Sequence, residues 1–255
     1  SRQRSPLAAY AETVKKSWAS LEAEVCPEEY PMYTVPLAIL MDMTEVKPHE
    51  ELMNADVLYE FNSRMGEAMF VSHTWASVDH PDPEGLQLQV LQKGMTDILR
   101  GRRISVNLEE VAAEFEQGHL HKHAEEKFKP HRLFIWYDFF CCPQKPKRPE
   151  FKTKALNSIS SYIARCERFL ILCPNLVHMD RHEFLGHAAW TDRGWCRMEQ
   201  MAWELSSNTS DMILVESATS ETQETHELSW QAGFFPPGMG HFSVEDDRSV
   251  VAQAL

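Results

Sequence analysis

The sequence predicts an α/β fold in which a parallel sheet carries helices on both faces. Two observations predict it: short apolar runs typical of buried strands recur along the chain, and segments with helical spacing separate them. Strands that alternate with helices favour right-handed crossovers and therefore a parallel sheet. The chain has 255 residues, 43% of them hydrophobic, which is enough for one main core with appendages.

The first strand is predicted at 68–73, an apolar run bounded by a polar loop. An amphipathic helix follows, predicted from apolar residues at steps of three and four: Leu88, Leu91, Met95 and Ile98. Asn107 with Glu110 then forms a capping-box-like pattern, which predicts a second short helix.

The second strand is predicted at 132–138, which is rich in aromatic and β-branched residues and ends in Asp138. A helix face is traced by Ala155, Leu156, Ile159, Tyr162, Ile163 and Cys166. A third buried strand is predicted at 168–173, where Pro174 ends it.

The last helix and strand of the predicted domain follow. Thr191 or Asp192 can cap a helix. Its predicted core face comprises Trp195, Met198, Met201, Ala202 and Leu205. Residues 212–215 complete the series as a fourth strand.

The two ends of the chain have weaker patterns. Residues 1–66 combine helical spacing at 8–23 with a proline-rich stretch at 27–48, which predicts an N-terminal arm that packs on the domain without contributing chemistry. Residues 67–218 are predicted as the domain and 219–255 as a C-terminal extension. The first residue is Ser, so we expect a fragment whose true start, with any targeting signal, is missing.

Composition excludes several classes of function. Thirty-eight acidic against 25 basic residues give a net charge of -13, which disfavours nucleic acid and anionic membranes as partners. No uncharged apolar run approaches the roughly 20 residues of a membrane helix. Six cysteines without a Cys-x-x-Cys pair indicate a reducing compartment. We therefore expect a soluble, cytoplasmic protein.

In open parallel sheets, ligands bind beyond the carboxyl ends of the strands. This rule selects Ser72, His73, Thr74 and Trp75 at and after the first strand, residues 138–142 from Asp138 onward after the second, and the start of the helix that carries Glu199. No Gly-x-Gly-x-x-Gly or Gly-Lys-Ser/Thr loop follows any strand, which argues against Rossmann and P-loop sites.

Three segments resemble those of TIR domains, the modules of Toll and interleukin receptors and of plant and bacterial defence proteins. They are the strand at 70–73 (Phe-Val-Ser-His), the strand at 134–138 (Phe-Ile-Trp-Tyr-Asp) and the Trp-Cys-x-x-Glu pattern at 195–199. The resemblance covers about 67–218 and is nearest to divergent TIR-like proteins of single-celled eukaryotes. Gln200, where many members have Leu, and the loop at 139–143 depart from the pattern.

The resemblance implies a flavodoxin-like, doubly wound parallel sheet with N-terminal and C-terminal extensions. It also implies NAD as a substrate with no cofactor, cleavage of its nicotinamide glycosidic bond, and a role in signalling, defence or innate immunity. Glu199 resembles the catalytic carboxylate of the members that cleave NAD. An alternative is a non-enzymatic module that associates with other TIR domains and has no use for Glu199.

The chemistry of this bond suits a single carboxylate. Nicotinamide leaves as a neutral base, so the site must mainly stabilise a ribosyl cation and hold the ribose hydroxyls. Glu199 is the predicted catalytic residue, with Ser72, His73, Trp75 and Asp138 as substrate-binding residues. The competing interpretation of Glu199 is a solvated carboxylate on a helix face.

Two other groups of residues are candidates for a site. The histidines His119, His121, His123 and His131 could bind a metal, but no ligand spacing is completed, so no metal site is predicted. Cys141 or Cys142 with His73 could form a thiol nucleophile pair, although buried cysteines are usually inert. Trp195, within a periodic helix, is predicted to be a core residue.

Overall fold

The computed structural model describes residues 28–100, 103–105, 130–145, 147–206, 212–217, 222–225 and 236–254. The helices predicted at 8–23 and after Asn107, and the histidines at 119, 121 and 123, lie outside these ranges. None of the helices in the described part of the chain is long and apolar enough to cross a membrane.

The strands of the described residues are β1 (Tyr33–Pro36), β2 (Tyr59–Glu60), β3 (Glu67–His73), β4 (Arg103–Ser105), β5 (Leu133–Tyr137), β6 (Arg168–Leu172), β7 (Leu176–Val177), β8 (Phe184–Leu185), β9 (Met212–Val215) and β10 (Thr222–Thr225). The α-helices are α1 (Leu37–Asp42), α2 (His49–Asn54), α3 (Leu86–Leu99), α4 (Asp138–Cys141), α5 (Glu150–Asn157), α6 (Ile159–Ala164), α7 (His187–Asp192), α8 (Gly194–Leu205) and α9 (Asp247–Ala254).

The main sheet is mixed, with strand order β2-β1-β5-β3-β6-β9-β10-β4. Its centre, β5-β3-β6-β9, is parallel throughout. These are the four strands that the sequence predicts, so the prediction of one parallel sheet is confirmed for them. Antiparallel pairings attach β1 to β5 and β10 to β9, which makes the complete sheet mixed. The arrangement is compatible with a flavodoxin-like fold.

The core is centred on β3, whose residues from Ala68 to His73 are all buried. Phe70 stacks between Trp136 of β5 at 4.3 Å and Phe169 of β6 at 5.4 Å between ring centroids. Each such side chain contributes about 2 to 3 kcal/mol by burial, and the ring contacts add about 1 kcal/mol. This packing holds the carboxyl ends of the three strands in fixed relative positions.

The N-terminal residues contribute to the sheet itself. Val35 of β1 pairs with Ile135 of β5, and the buried side chains of Leu37 and Leu40 belong to the main core. The described part of the predicted arm therefore extends the sheet at the edge of β5. A four-residue strand ending in Pro36, within a proline-rich stretch, gives no alternation long enough to predict it.

The predicted core face of α8 is partly wrong. Its buried side chains include Met198 and Ala202, as predicted, but Trp195 is only partly buried and Leu205 is 75% exposed. The predicted caps are also wrong, since Thr191 and Asp192 belong to α7 and the residue preceding α8 is Arg193. The additional short helix α7 accounts for the difference, because it moves the start of α8 to Gly194.

A C-terminal segment packs on the start of α8. The His241 N–H donates to the Asp192 carbonyl at 2.7 Å, and the Gly194 N–H donates to the His241 carbonyl at 3.0 Å. A Cβ at Gly194 would lie 2.1 Å from the Phe242 ring, so a larger residue at 194 does not fit this contact. The Trp195 indole N–H also donates to Asp247 at 3.0 Å. This segment therefore forms one wall beside the carboxyl edge of the sheet.

Candidate functional site

The candidate site lies at the carboxyl ends of β3 and β5. Ser72 and His73 are the last two residues of β3, Asp138 follows β5 directly, and Glu199 lies in the second turn of α8. Because β3 and β5 are parallel neighbours, their carboxyl ends meet at one edge of the sheet. The packing of α8 against β3 brings Glu199 to the same edge.

Glu199 is held by a chain of two hydrogen bonds. The Ser72 hydroxyl donates to Glu199 Oε2 at 2.5 Å, and the Trp190 indole N–H donates to Ser72 Oγ at 2.9 Å. The indole occupies the acceptor side of the hydroxyl, so the Ser72 proton points to the carboxyl group. Glu199 is 8% exposed, Ser72 1% and Trp190 0%. The interpretation of Glu199 as a solvated helix residue is therefore wrong.

Burial raises the pKa of Glu199 to about 8. The nearby charge of Asp138 raises this pKa further, whereas the Ser72 hydrogen bond and the charge of Arg193 lower it without compensating. Glu199 is therefore mainly protonated at neutral pH in this structure. A positive charge placed beside the carboxyl group would stabilise its ionised form and lower the pKa.

A second cluster surrounds Asp138. His73 Nε2 lies 2.9 Å from Asp138 Oδ1, and the Trp75 indole N–H donates to Asp138 Oδ2 at 2.8 Å. The His73 ring also stacks on Tyr137, with 4.0 Å between centroids. Both carboxylate oxygens of Asp138 are thus engaged, and its side chain is 29% exposed.

The pKa of Asp138 is shifted in the opposite direction from the pKa of Glu199. Burial works against its charged form, but the charge of His73 and the hydrogen bonds from His73, Trp75 and the Phe139 backbone outweigh burial and hold the pKa of Asp138 below its ordinary value. Asp138 is therefore ionised at neutral pH.

The structure brings all five predicted site residues to one edge of the sheet, in two adjacent clusters. The clusters are linked through β3, where Ser72 serves one and His73 the other. The Cys196 thiol of α8 also lies 3.5 Å from the His73 carbonyl, which ties the helix to the strand end. The predicted proximity of Glu199 to Ser72 is confirmed, whereas the functional roles of the residues stay predictions.

The thiol alternative receives no support from the structure. Burial raises the pKa of Cys141 and of Cys142 well above the ordinary value, so neither is a thiolate at neutral pH. Both ring nitrogens of His73 also have other partners, since Nδ1 lies 3.3 Å from the Thr74 carbonyl and Nε2 lies 2.9 Å from Asp138 Oδ1. Among the described residues no group of three potential ligands could hold a metal ion, and His131 lies in an exposed 3₁₀ turn.

A cavity of about 250 Å³ opens beside the Asp138 cluster. It is lined by Thr74, Trp75, Arg181, Glu183, Phe184, Leu185, Ala189, Asp192, Arg193 and His241. Trp75, which donates to Asp138, is the one predicted site residue in this lining, so the cavity adjoins the Asp138 cluster, and neither Glu199 nor Asp138 lines it. The sequence assigns no role to Trp190, Arg181 or Arg193, because their positions depend on the hairpin of β7 and β8 and on the short helix α7, which no motif predicts.

Comparisons with protein-family models, with curated proteins and with solved structures find no match for this chain. The geometry offers one protonated carboxyl group held by a hydroxyl, one ionised carboxylate held by an imidazole, and an adjoining cavity with two arginines.

Proposed function

We propose that this chain is a TIR-like, flavodoxin-like domain that cleaves the nicotinamide glycosidic bond of NAD, with Glu199 as the catalytic residue. The observation that carries the proposal is the 2.5 Å hydrogen bond from Ser72 to a buried Glu199 at the carboxyl end of the central strand. The site would serve a signalling or defence role of the kind that the resemblance to TIR domains implies.

The strand order supports the fold part of the proposal. Numbered along the chain, the parallel strands β3, β5, β6 and β9 occur in the spatial order 2-1-3-4. The flavodoxin-like order is 2-1-3-4-5, and its ligands bind at the switch point between the first and third strands. In this chain that point lies between β3 and β6, where Ser72 and His73 are the last two residues of β3.

The electrostatics of Glu199 support the choice of a cationic substrate. The carboxyl group is mainly protonated near pH 7 because burial outweighs the Ser72 hydrogen bond and the charge of Arg193. The nicotinamide ring of NAD is a pyridinium and would supply this charge, so its binding would favour ionised Glu199. A ligand without positive charge would leave the carboxyl group neutral.

The reaction would then need few protein groups. The bond between ribose C1′ and the nicotinamide nitrogen breaks with its electron pair on nitrogen, which leaves nicotinamide neutral. Ionised Glu199 stabilises the positive charge that develops on the ribosyl group. A water molecule adds to C1′, and its proton passes to Glu199. Ser72 would keep the carboxyl group oriented during these steps.

The test is incubation of the purified protein with NAD, with nicotinamide release followed by chromatography. Glu199→Gln removes the charge while keeping the shape, so release should fall by about 100- to 1,000-fold. Glu204→Gln is the matched control, because the same change five residues later on α8 lies outside the clusters and should leave turnover unchanged. Equal turnover by Glu199→Gln and the parent would refute the proposal.

A non-enzymatic TIR-type interaction module is the second candidate. The hairpin of β7 and β8 favours it, because Val177, Met179 and Phe184 expose 47%, 45% and 83% of their surface. Apolar side chains exposed together are typical of association surfaces. This candidate predicts concentration-dependent self-association in sedimentation experiments and no nicotinamide release at any protein concentration.

A further inference from the structure

Two arginines in the cavity converge on a single hydroxyl group. Arg181 Nη1 donates to Ser243 Oγ at 3.2 Å, and Arg193 Nη1 donates to the same oxygen. Arg181 follows β7, Arg193 separates α7 from α8, and Ser243 belongs to the C-terminal segment. Three separate parts of the chain therefore place two positive charges within a few ångströms of each other.

The carboxylates near these arginines neutralise them only in part. Glu183 lies 3.6 Å from Arg181 Nε and is 61% exposed, so solvent screens it. Asp192 pairs with Arg197 at 2.9 Å. Among the described residues no carboxylate lies within ion-pair distance of Arg193, and the buried Nε of Arg181 makes no hydrogen bond.

Unused guanidinium donors beside a like charge are stabilised by an anion that bridges them. Guanidinium groups match phosphate oxygens in geometry and bind them through paired N–H groups. The protein as a whole has a net charge of -13, so this convergence of arginines contrasts with its general character. The lining therefore favours a phosphate-bearing ligand.

The remaining walls suit a flat ring. Leu185 and Ala189 supply apolar surface, and Phe184 is 83% exposed at the cavity. A volume of about 250 Å³ lies just below the range of about 300 to 1,000 Å³ for sites that enclose drug-sized ligands. The cavity can thus hold part of a dinucleotide, with the remainder directed past Thr74 and Trp75 toward Ser72.

We infer that this cavity binds the diphosphate of a nucleotide, with Arg181 and Arg193 contacting the phosphate oxygens and Phe184 covering the base of that nucleotide. The inference deepens the proposed function and rests on it, because NAD carries a diphosphate one ribose away from its nicotinamide. Trp75, which lines the cavity and donates to Asp138, then stands between the diphosphate and the scissile bond.

The test is calorimetric titration of the purified chain with ADP and, separately, with adenosine. ADP should bind at least about tenfold more tightly than adenosine, and the difference should shrink as salt increases. Arg193→Gln and Arg181→Gln should each weaken ADP binding by about tenfold or more. Arg148→Gln is the matched control, since Arg148 is 67% exposed, pairs with Glu150 and lies outside the cavity lining.

The outcomes separate the two proposals. Equal affinity for ADP and adenosine, absence of ADP binding, or equal effects of Arg193→Gln and Arg148→Gln would overturn the cavity assignment. Glu199→Gln should bind ADP like the parent, because Glu199 is not in the lining. ADP binding that depends on both arginines, in a protein that never releases nicotinamide, would support the cavity and refute the proposed activity. If Arg193→Gln does not fold, Arg181→Gln decides the outcome, because its guanidinium lies outside the junction of α7 and α8.

Discussion

Two carboxyl groups at the same edge of the sheet are held by similar contacts, yet their pKa values are shifted in opposite directions. Each depends on one of the last two residues of β3 and on a tryptophan N–H. Glu199 meets Ser72, which Trp190 orients, and Asp138 meets His73 and Trp75. Yet the pKa of Glu199 is raised to about 8, whereas the pKa of Asp138 is lowered.

The difference lies in the charge of the partner. An imidazole beside Asp138 can carry a positive charge that favours the carboxylate, whereas a hydroxyl beside Glu199 contributes only a hydrogen bond. Asp138 also raises the pKa of Glu199 through its own negative charge. Neighbouring carboxyl groups with separated pKa values commonly divide two chemical roles. Here protonated Glu199 would ionise when a cationic ligand binds beside it, and ionised Asp138 would hold His73 and Trp75 in place.

The largest expected effect is on the pH dependence of stability. The folded-state pKa of Glu199, about 8, exceeds its ordinary value of 4.5, so its stabilising contribution is complete below pH 4.5 and is lost as the pH rises through 8. Relative to Glu199→Gln, the parent should lose up to about 5 kcal/mol over this range. Urea unfolding of both proteins at pH 5, 7 and 8.5 measures this difference. If the difference in the free energy of unfolding between the two proteins is the same at all three pH values, the pKa of Glu199 is not raised and the contrast with Asp138 disappears.

The next effect is on turnover. If ionised Glu199 is required, kcat/KM for nicotinamide release should rise about tenfold per pH unit up to pH 8, or about 100-fold from pH 6. The corresponding rise of kcat with pH should occur at lower pH than the rise of kcat/KM, because the bound pyridinium favours the ionised carboxyl group of Glu199. Glu204→Gln should show the same two profiles as the parent. Identical limbs in kcat and kcat/KM would contradict a cationic substrate at Glu199.

Asp138→Asn examines the other cluster. The change replaces the carboxylate that contacts His73 and Trp75 with a neutral amide, so stability near pH 6 should fall by about 2 kcal/mol. Since the pKa of Asp138 is lowered, the stability it contributes is present above pH 3.8 and is lost as the pH falls through its folded value. Asp192→Asn is the comparison, because it removes the ion pair between Asp192 and Arg197. The Asp192 side chain is 66% exposed, so this change should cost under about 1 kcal/mol of stability. Equal losses in the two variants by urea unfolding would show that the buried histidine contributes nothing special.

The smallest effect concerns Ser72→Ala. The change removes the donor to Glu199 and leaves the Trp190 N–H without its acceptor, which should cost about 1 kcal/mol at neutral pH. The pKa of Glu199 should rise further, because the hydrogen bond from Ser72 lowers it. The acid limb of kcat/KM should therefore move to higher pH. A limb that stays in place would mean that Ser72 only fills space.

The central strands were predictable because each is buried on both faces and forms an uninterrupted apolar run. The rule that ligands bind beyond strand ends also led to Ser72, His73 and Asp138. In contrast, β1 is too short and proline-containing for any period to emerge, and its place depends on the edge that β5 offers. Local pattern cannot indicate a pairing between residues 100 positions apart.

The protonation state of Glu199 was equally beyond the sequence. Helical spacing placed it on α8, but its burial follows from an additional helix, α7, which changes the start of α8 and brings in Trp190. The arginines of the cavity depend on a hairpin and on a C-terminal segment that follows the predicted domain. Such sites arise from tertiary packing, for which neither propensity nor motif provides a signal.

The contact between Gly194 and Phe242 bears on where the chain can be shortened. The segment from 236 to 247 supplies Phe242 to the start of α8, Ser243 to two arginines and Asp247 to Trp195. A protein cut after residue 218 would lose these three anchors at once. It would uncover the backbone at Gly194, five residues before Glu199 on α8. Expression boundaries drawn from motifs alone would thus remove the outer wall of the cavity while leaving every motif intact.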